Sequence, residues 1–280
     1  MRIRTVENIT AQQLTWARQN KIALEKSYTS RVEDNIFGGQ LHPATRLEYE
    51  KGKGHELEGH MKALHSSSAL VVNVFDYWRR VGRIQDMAEC CGAEGSVTEM
   101  EFEKTHPIKG VTRTPPHLDV EFGGTLPLAI ESKFTETYRR KTRRPLASTH
   151  LDKYIEKDDI WVGLPRLRAV AESIVRQSAD RTQFEYLDVP QLVKHVLGLN
   201  GAYQGHFSLL YLWYRVESPE AAQHEHELGE FVAHVGDEIG FRTMTYQELF
   251  NRIRRLPNFD PAYVEYLEAR YFPVGDWLSP

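Results

Sequence analysis

The chain has 280 residues, and its 35 basic and 39 acidic side chains leave a net charge of −4 with histidine counted as neutral. This balance excludes the broad basic footprint of many nucleic-acid-binding proteins, so a site for a polyanion would have to depend on a local patch. The two cysteines, Cys90 and Cys91, are adjacent and cannot build a disulfide framework, and no apolar run is long enough to span a bilayer.

The N-terminal part of the chain predicts two helices separated by irregular structure. It begins with charged and polar residues, so we expect no secretory signal, no membrane anchor and a cytoplasmic protein. Thr10 and Gln13 form a capping-box pair that opens a helix over residues 10–26. Residues 30–60 are rich in glycine, histidine and charge, which predicts largely irregular structure. A serine run then opens a helix over 66–81, whose apolar character nearly all round indicates that it is buried.

Three strands follow, and the last two predict a hairpin. Residues 97–104 alternate between apolar and charged side chains, as a strand with one buried face does. Residues 116–122 and 126–134 alternate in the same way on either side of Gly123-Gly124-Thr125. Paired glycines between two alternating segments are typical of a hairpin connection.

Asp119, Glu131 and Lys133 project from the same face of this hairpin, because side chains alternate with period two along each strand. In the simplest register Asp119 lies directly opposite Glu131, about 5 Å away, where like charges destabilise a sheet. Lys133 relieves part of this repulsion, and a divalent cation would relieve more. Two carboxylates on adjacent strands suit Mg2+, which completes its shell with waters and substrate phosphate. The alternative is a surface hairpin whose charges are simply solvated.

The C-terminal half predicts helices around one buried strand. The pattern predicts mostly helical structure over residues 148–178, with Pro165 at the first position of a second helical segment. The strand at 206–216 is apolar on both faces, which is typical of an interior strand. The further elements are helices over 189–199, 219–235 and 246–256, a short strand at 241–244 and a last helix opened by Asp260-Pro261. His224, His226 and His234 lack zinc-site spacing, and we expect them on a solvated helix face.

Asp119, an eleven-residue gap and then Glu131-Ser132-Lys133 resemble the PD-(D/E)xK motif of restriction-endonuclease-like nucleases. Glu131-Ser132-Lys133 is the only acid-x-Lys triplet in the chain, and Leu118 stands where the motif has its proline. The run of serines at 66–68, with the residues that follow it to Asn73, also resembles a group of uncharacterised proteins described as restriction endonucleases. The resemblance implies that Asp119 and Glu131 bind Mg2+, with Mn2+ as a substitute, and that Lys133 positions the attacking water.

The same resemblance implies an α/β fold with a restriction-endonuclease-like α-β-β-β-α-β core, a mixed central sheet and added helices at both ends. The predicted order of elements reproduces this core over residues 64–216. Residues 1–63 would then be an N-terminal helix and irregular segment packed on the core, and residues 217–280 a C-terminal helical extension.

Further carboxylates and a helix could complete the site. Members of this superfamily often take another acid from the helix before the three strands or from the first strand, which singles out Glu56 and, less strongly, Glu99, Glu101 and Glu103. Glu121 shares the Asp119 face nearer the turn. Some members place a Gln or Lys from the next helix into the site, which indicates Gln191 and also Lys194. For each of these residues the alternative is an ordinary charged or polar surface.

A basic segment follows the second strand of the hairpin, with five Lys or Arg in six positions: Arg139, Arg140, Lys141, Arg143 and Arg144. Such side chains would neutralise phosphates and add salt-dependent affinity without reading sequence. A solvated loop is the alternative. We therefore expect DNA as the partner and leave RNA open, and the sequence does not fix the oligomeric state, so a homodimer is compatible with it.

These observations predict a Mg2+-dependent endodeoxyribonuclease that hydrolyses phosphodiester bonds. Two alternatives remain: a catalytically inactive nucleic-acid-binding module on the same fold, and an unrelated interaction protein. The intact set of Asp119, Glu131 and Lys133 favours the enzyme, because a degenerate nuclease has usually lost one of the three.

Overall fold

The computed structural model describes residues 5–52, 56–110, 115–141, 151–176 and 183–273. In these residues the helices are α1 Thr5–Gln19, α2 Pro43–Lys51, α3 Ser67–Arg80, α4 Ile84–Cys90, α5 Leu151–Ile155, α6 Pro165–Arg176, α7 Val189–Tyr203, α8 Pro219–Ile239, α9 Tyr246–Ile253 and α10 Pro261–Tyr271. The strands are β1 Leu24–Glu25, β2 Tyr28–Thr29, β3 Val97–Thr105, β4 His117–Gly124, β5 Leu128–Lys133, β6 Ser208–Trp213 and β7 Phe241–Thr245.

The central sheet is mixed and has the strand order β3-β4-β5-β6-β7. The β3-β4 and β4-β5 pairs are antiparallel, whereas the β5-β6 and β6-β7 pairs are parallel. Every residue of β5 and β6 is buried, as expected of interior strands whose two faces are both covered. This arrangement confirms the predicted α/β class with a mixed central sheet. Added helices precede and follow the core along the chain, as predicted.

The register of the sheet brings acidic residues of three strands side by side. Val120 pairs with Ile130 on β5, so one further step along the hairpin places Asp119 opposite Glu131. On the other side of β4, Val120 pairs with Phe102, and the same step places Glu103 beside Asp119. Gly124 at the end of β4 allows the start of β3 to approach closely, because a Cβ there would lie 2.1 Å from the carbonyl oxygen of Ser96. The short connection between β4 and β5 limits the register of that pair, in which Asp119 lies opposite Glu131.

Helix α3 confirms the buried helix predicted before the three strands. The Ser66 hydroxyl caps it by accepting a hydrogen bond from the backbone N–H of Ala69. All residues from Ala69 to Trp78 are buried, including Asn73 and Asp76. The polar pair is satisfied from neighbouring backbone: Asn73 accepts from the N–H of Phe37, and Asp76 from that of His42.

Helix α7 lies close against the sheet and runs past its predicted end. Asp188 caps its start by accepting a hydrogen bond from the Gln191 N–H, and Gln204, in a left-handed conformation, follows its last turn. Gly198 allows the close approach, since a Cβ there would lie 2.6 Å from the carbonyl oxygen of His106. The predicted helix ended at residue 199, before Asn200-Gly201, but these two residues lie inside α7, because glycine weakens a helix without breaking it.

Several sequence expectations were wrong in detail. The first helix begins at Thr5 rather than Thr10, and the Thr10 hydroxyl donates to the Val6 carbonyl within the helix instead of forming a capping box. Part of the segment predicted to be irregular forms α2, where His42 caps the helix and Pro43 occupies its first turn. The helix over Ile84–Cys90 has no counterpart in the prediction.

The C-terminal predictions hold in outline. α6 begins at Pro165 as expected, and α9 carries the Thr245–Glu248 capping box in full. β7 and α10 also lie where they were predicted. Of the three histidines expected on a solvated helix face, His226 and His234 are exposed, whereas His224 is fully buried against Tyr211 and Trp213 of β6.

In the described part of the chain, no helix is both long and apolar enough to cross a membrane. Cys90 and Cys91 are free thiols, and both are buried. The predicted division of the chain at residues 63 and 216 stays a prediction.

Candidate active site

The site is built around Asp119 on β4 and Glu131 on β5. Glu131 is 1% exposed, and Asp119 is half-buried with its carboxylate turned toward β5. Asp119 Oδ2 accepts a hydrogen bond of 2.7 Å from the backbone N–H of Ser132. The two acids therefore lie on adjacent strands at the same level of the sheet, and the alternative of a solvated hairpin does not describe Glu131.

Lys133 completes the set from the end of β5. Its Nζ donates to Glu131 Oε1 in a close ion pair and to the side-chain oxygen of Gln191 on α7 at 2.9 Å. Only 8% of this lysine is exposed, so its charge depends on these partners rather than on water. Burial would lower the pKa of Lys133, but the Glu131 carboxylate outweighs this effect and raises it above its ordinary value.

The two carboxyl groups have opposite pKa shifts. For Asp119, burial and then repulsion by Glu131 raise the pKa well above its usual range. For Glu131, burial would raise the pKa, but attraction by Lys133 and His195 outweighs it and lowers the value to about 2. Glu131 is thus held as a carboxylate, while Asp119 lies where negative charge is already in excess. Such a separation is typical of sites that bind a cation or move a proton.

Glu103 adds negative charge beside Asp119, and the charge of Glu56 acts in turn on Glu103. Burial, and then the charges of Glu56 and Glu131, raise the pKa of Glu103 to about 7. Its carboxylate lies 3.4 Å from Nδ1 of His117. Glu56 accepts a hydrogen bond of 2.9 Å from the Ser68 hydroxyl, which holds it at the start of α3.

The remaining acidic candidates are either exposed or paired with residues outside the site. Glu99 is exposed on the edge strand, and Glu101 pairs with Lys104 at 2.7 Å. Glu121 is buried, but its oxygens lie 2.5 Å from His106 Nε2 and 2.5 Å from the Tyr203 hydroxyl. These contacts occupy Glu121 in a network between β4 and the end of α7, away from Lys133.

Helix α7 supplies two side chains to Glu131 and Lys133. Gln191 is half-buried and reaches Lys133, rather than lying on an exposed helix surface. One turn later, His195 is 2% exposed, and its Nδ1 lies 3.1 Å from Glu131 Oε2. Sequence reasoning missed His195, although its i+4 spacing from Gln191 was a usable signal. Lys194, between them, is half-buried, and burial lowers its pKa.

The basic segment is only partly described. Arg139 and Arg140 are exposed, and Arg140 pairs with Glu185 at 2.9 Å. The backbone N–H of Lys141 donates to the Glu185 carbonyl at 2.6 Å. These contacts attach the segment to the chain that leads into α7, next to Lys133. Arg143 and Arg144 lie outside the described residues.

The donor set fits a hard divalent cation that takes few ligands from the protein. Nowhere in the described ranges do three or more His, Cys, Asp or Glu side chains already gather around one point as a metal site. Mg2+ needs only one or two protein carboxylates, with waters and phosphate oxygens filling its shell. Asp119, crowded by Glu131 and Glu103, is the group whose environment such a charge would relieve.

Comparison with known proteins gives one family. The family model described as "Restriction Endonuclease associating with ARP" (REase-ARP) matches residues 7–272 of the chain. No curated protein and no solved structure matches the chain.

Proposed function

From the premise that this chain belongs to the REase-ARP family of restriction endonucleases, we propose that it is a Mg2+-dependent endodeoxyribonuclease. It would hydrolyse phosphodiester bonds in DNA, with Mn2+ able to replace Mg2+. The description of the family also names an association with ARP, and we include such a partner in the proposal.

The observation that carries this proposal is the convergence of Asp119, Glu131 and Lys133. The sheet register brings the two acids side by side, and Lys133 contacts Glu131 within the same buried strand end. A surface hairpin would have no need to bury an acid and a lysine that cost free energy to remove from water. Such a buried cluster is understandable if it has a chemical task.

Asp119 and Glu131 would hold the cation. Glu103, whose charge acts on Asp119, and Glu56, whose charge acts on Glu103, would support it. When bound, the ion would polarise the scissile phosphate and favour ionisation of the attacking water. Lys133 would orient that water and stabilise negative charge on the phosphoryl oxygens. Gln191 would keep the ammonium of Lys133 in place through its 2.9 Å hydrogen bond.

The basic segment supports DNA as the substrate. Arg139 and Arg140 are exposed in the segment that follows β5, where a phosphate backbone passing over the site could meet them. Arg143 and Arg144, which lie outside the described residues, belong to the proposal from the sequence alone. Because these side chains would bind phosphates rather than bases, we expect them to contribute salt-sensitive affinity and no sequence preference.

The test is cleavage of plasmid, linear and single-stranded DNA, and of RNA, by the full chain with Mg2+ or Mn2+. Glu131→Gln and Lys133→Met should abolish cleavage and keep the circular dichroism spectrum, because both replacements preserve side-chain size. Lys51→Met, at an exposed position on α2, is the matched control and should cleave like the wild type.

Two outcomes would contradict the proposal in different ways. Wild-type protein that leaves every substrate uncut is not a nuclease under these conditions. If it also binds DNA in a salt-sensitive way without taking up Mg2+, the inactive nucleic-acid-binding module is the better description. Cleavage of RNA alone would keep the chemistry and replace the substrate.

A further inference from the structure

We propose that His195 is a positioning residue, whose Nδ1–H fixes the orientation of the Glu131 carboxylate in the candidate site. The inference rests on the proposed function, since it concerns the acid that would hold the cation.

Geometry places His195 against the one oxygen of Glu131 that Lys133 does not contact. Nδ1 of His195 lies 3.1 Å from Oε2, whereas Lys133 contacts Oε1. Both side chains of the His195–Glu131 pair are 2% exposed, so water does not compete freely for either group. With a different cationic or donor side chain on each oxygen, the carboxylate is held against rotation about its last bond.

The position of the proton follows from the partner. An ionised carboxylate has only acceptor sites, so the ring nitrogen that faces it must carry the hydrogen. Within the described residues, Nδ1 of His195 is buried and makes no hydrogen bond of normal geometry, and the acceptor that it faces is Glu131 Oε2, 3.1 Å away. Leaving this nitrogen without a proton would set two acceptors 3.1 Å apart in a buried site, which is unfavourable.

The helix, rather than the carboxylate, determines where His195 lies. Gly198 rests on the carbonyl of His106, and the Tyr203 hydroxyl donates to Glu121 at 2.5 Å near the end of α7. Gln191, one turn before His195, is tied to Lys133. α7 is therefore held to the sheet along its length, and it presents His195 to Glu131 as a fixed donor.

A hydrogen-bond donor to a metal-binding carboxylate affects how strongly that carboxylate binds the metal ion. Loss of such an outer partner typically weakens metal binding on the order of 10- to 100-fold. We expect this loss in His195→Phe, which keeps the ring and removes the donor. His195→Gln should behave like His195→Phe, because its amide nitrogen replaces Nε2. His195→Asn should retain most of the wild-type affinity, because its amide nitrogen stands at the same distance from Cβ as Nδ1.

The experiment has two readouts besides cleavage. A two-bond 1H–15N spectrum of the wild-type protein reports which nitrogen of His195 carries hydrogen, and we expect Nδ1 to be protonated. Calorimetric titration with Mg2+ compares the three variants with His226→Asn, a control at an exposed histidine on α8 whose side chain is 67% exposed. The Mg2+ concentration that gives half-maximal cleavage should rise in His195→Phe and His195→Gln, but not in His195→Asn.

The outcomes separate this inference from the proposed function. An unprotonated Nδ1 in the wild type, or equal Mg2+ dependence in all three variants of an active wild type, would overturn the positioning role. Loss of stability in every variant, with no change in the Mg2+ dependence, would also overturn it, because the role would then be packing alone. The Mg2+ affinities of the wild type and the variants can follow the expected order while the wild type cuts no nucleic acid. That result would support the positioning of Glu131 and defeat the nuclease proposal.

Discussion

Replacing Asp119 by Asn should stabilise the protein in the absence of a divalent cation. Asp119 stands opposite Glu131 by the register of β4 and β5, at a cross-strand separation of about 5 Å. With an effective dielectric constant of about 20, two like charges at that distance repel by about 3 kcal/mol. Attraction between Asp119 and Lys133 offsets part of this, so we expect a net gain of about 1–2 kcal/mol.

The structure also explains why Asn can occupy this position. Its side-chain oxygen can still accept the hydrogen bond that the Ser132 N–H donates to Asp119 at 2.7 Å. The replacement therefore removes the charge and keeps the bond that anchors the side chain to β5. By the usual scaling for a chain of this size, the gain corresponds to a rise in Tm of about 2–8 °C.

The gain should depend on pH with a definite sign. Burial and Glu131 raise the pKa of Asp119 in the folded protein above its unfolded value. The folded state therefore holds a proton that the unfolded chain releases more readily, and stability is lost as pH rises through the folded pKa. Asp119→Asn avoids this loss, so its advantage should be small near pH 4 and grow toward pH 8.

Urea unfolding of both proteins in EDTA, from pH 4 to pH 8, measures the effect. Asp237→Asn, at a carboxylate whose side chain is 97% exposed, is the control and should change little. Added Mg2+ should stabilise the wild type more than Asp119→Asn, because only the folded wild type binds it well. A variant that is less stable than the wild type at pH 8 in EDTA would refute the reasoning about repulsion.

Two further predictions concern residues outside the site. Glu227 is fully buried and accepts hydrogen bonds of 2.8–2.9 Å from the backbone N–H groups of residues 185–187. Glu227→Gln should therefore lower the free energy of unfolding by about 3 kcal/mol. In urea unfolding, a loss no greater than that of the exposed control Glu225→Gln would contradict this. Burial, and then the charges of Lys141 and Lys133, lower the pKa of His224 to about 3. As pH drops from about 6.5, the unfolded chain therefore takes up a proton that the folded protein does not, and the free energy of unfolding falls. Between pH 6 and pH 4, His224→Phe should lose about 1.4 kcal/mol less per pH unit than the wild type, and parallel stability curves would contradict this.

Local pattern and tertiary packing contributed different parts of the site. The hairpin was predictable because strand alternation and a glycine turn are local signals, and together they fix the register that sets Asp119 opposite Glu131. The helix bearing Gln191 was predictable from its Asp188 cap and apolar spacing. The prediction that Gln191 enters the site depended on the resemblance alone, because no local pattern relates it to Lys133, 58 positions away.

The errors have physical causes as well. The segment read as irregular contains α2, whose amphipathic pattern is weak and whose cap is a histidine rather than Ser, Thr, Asp or Asn. Thr10 was read as a cap although its hydroxyl can bond equally well to the preceding turn inside a helix. In both cases a short-range rule had two solutions, and packing against distant residues selected one.

The sequence by itself determined the chemistry available, because only residue types and their local spacing are needed to place two acids and a lysine on one strand pair. Tertiary structure alone decided how buried they are, which acid keeps its charge and which neighbours surround it. His195 and Glu103 approach Glu131 and Asp119 only after α7 and β3 have packed on the hairpin. Burial and electrostatic coupling depend on distances in the folded chain, and those distances are not properties of any short segment.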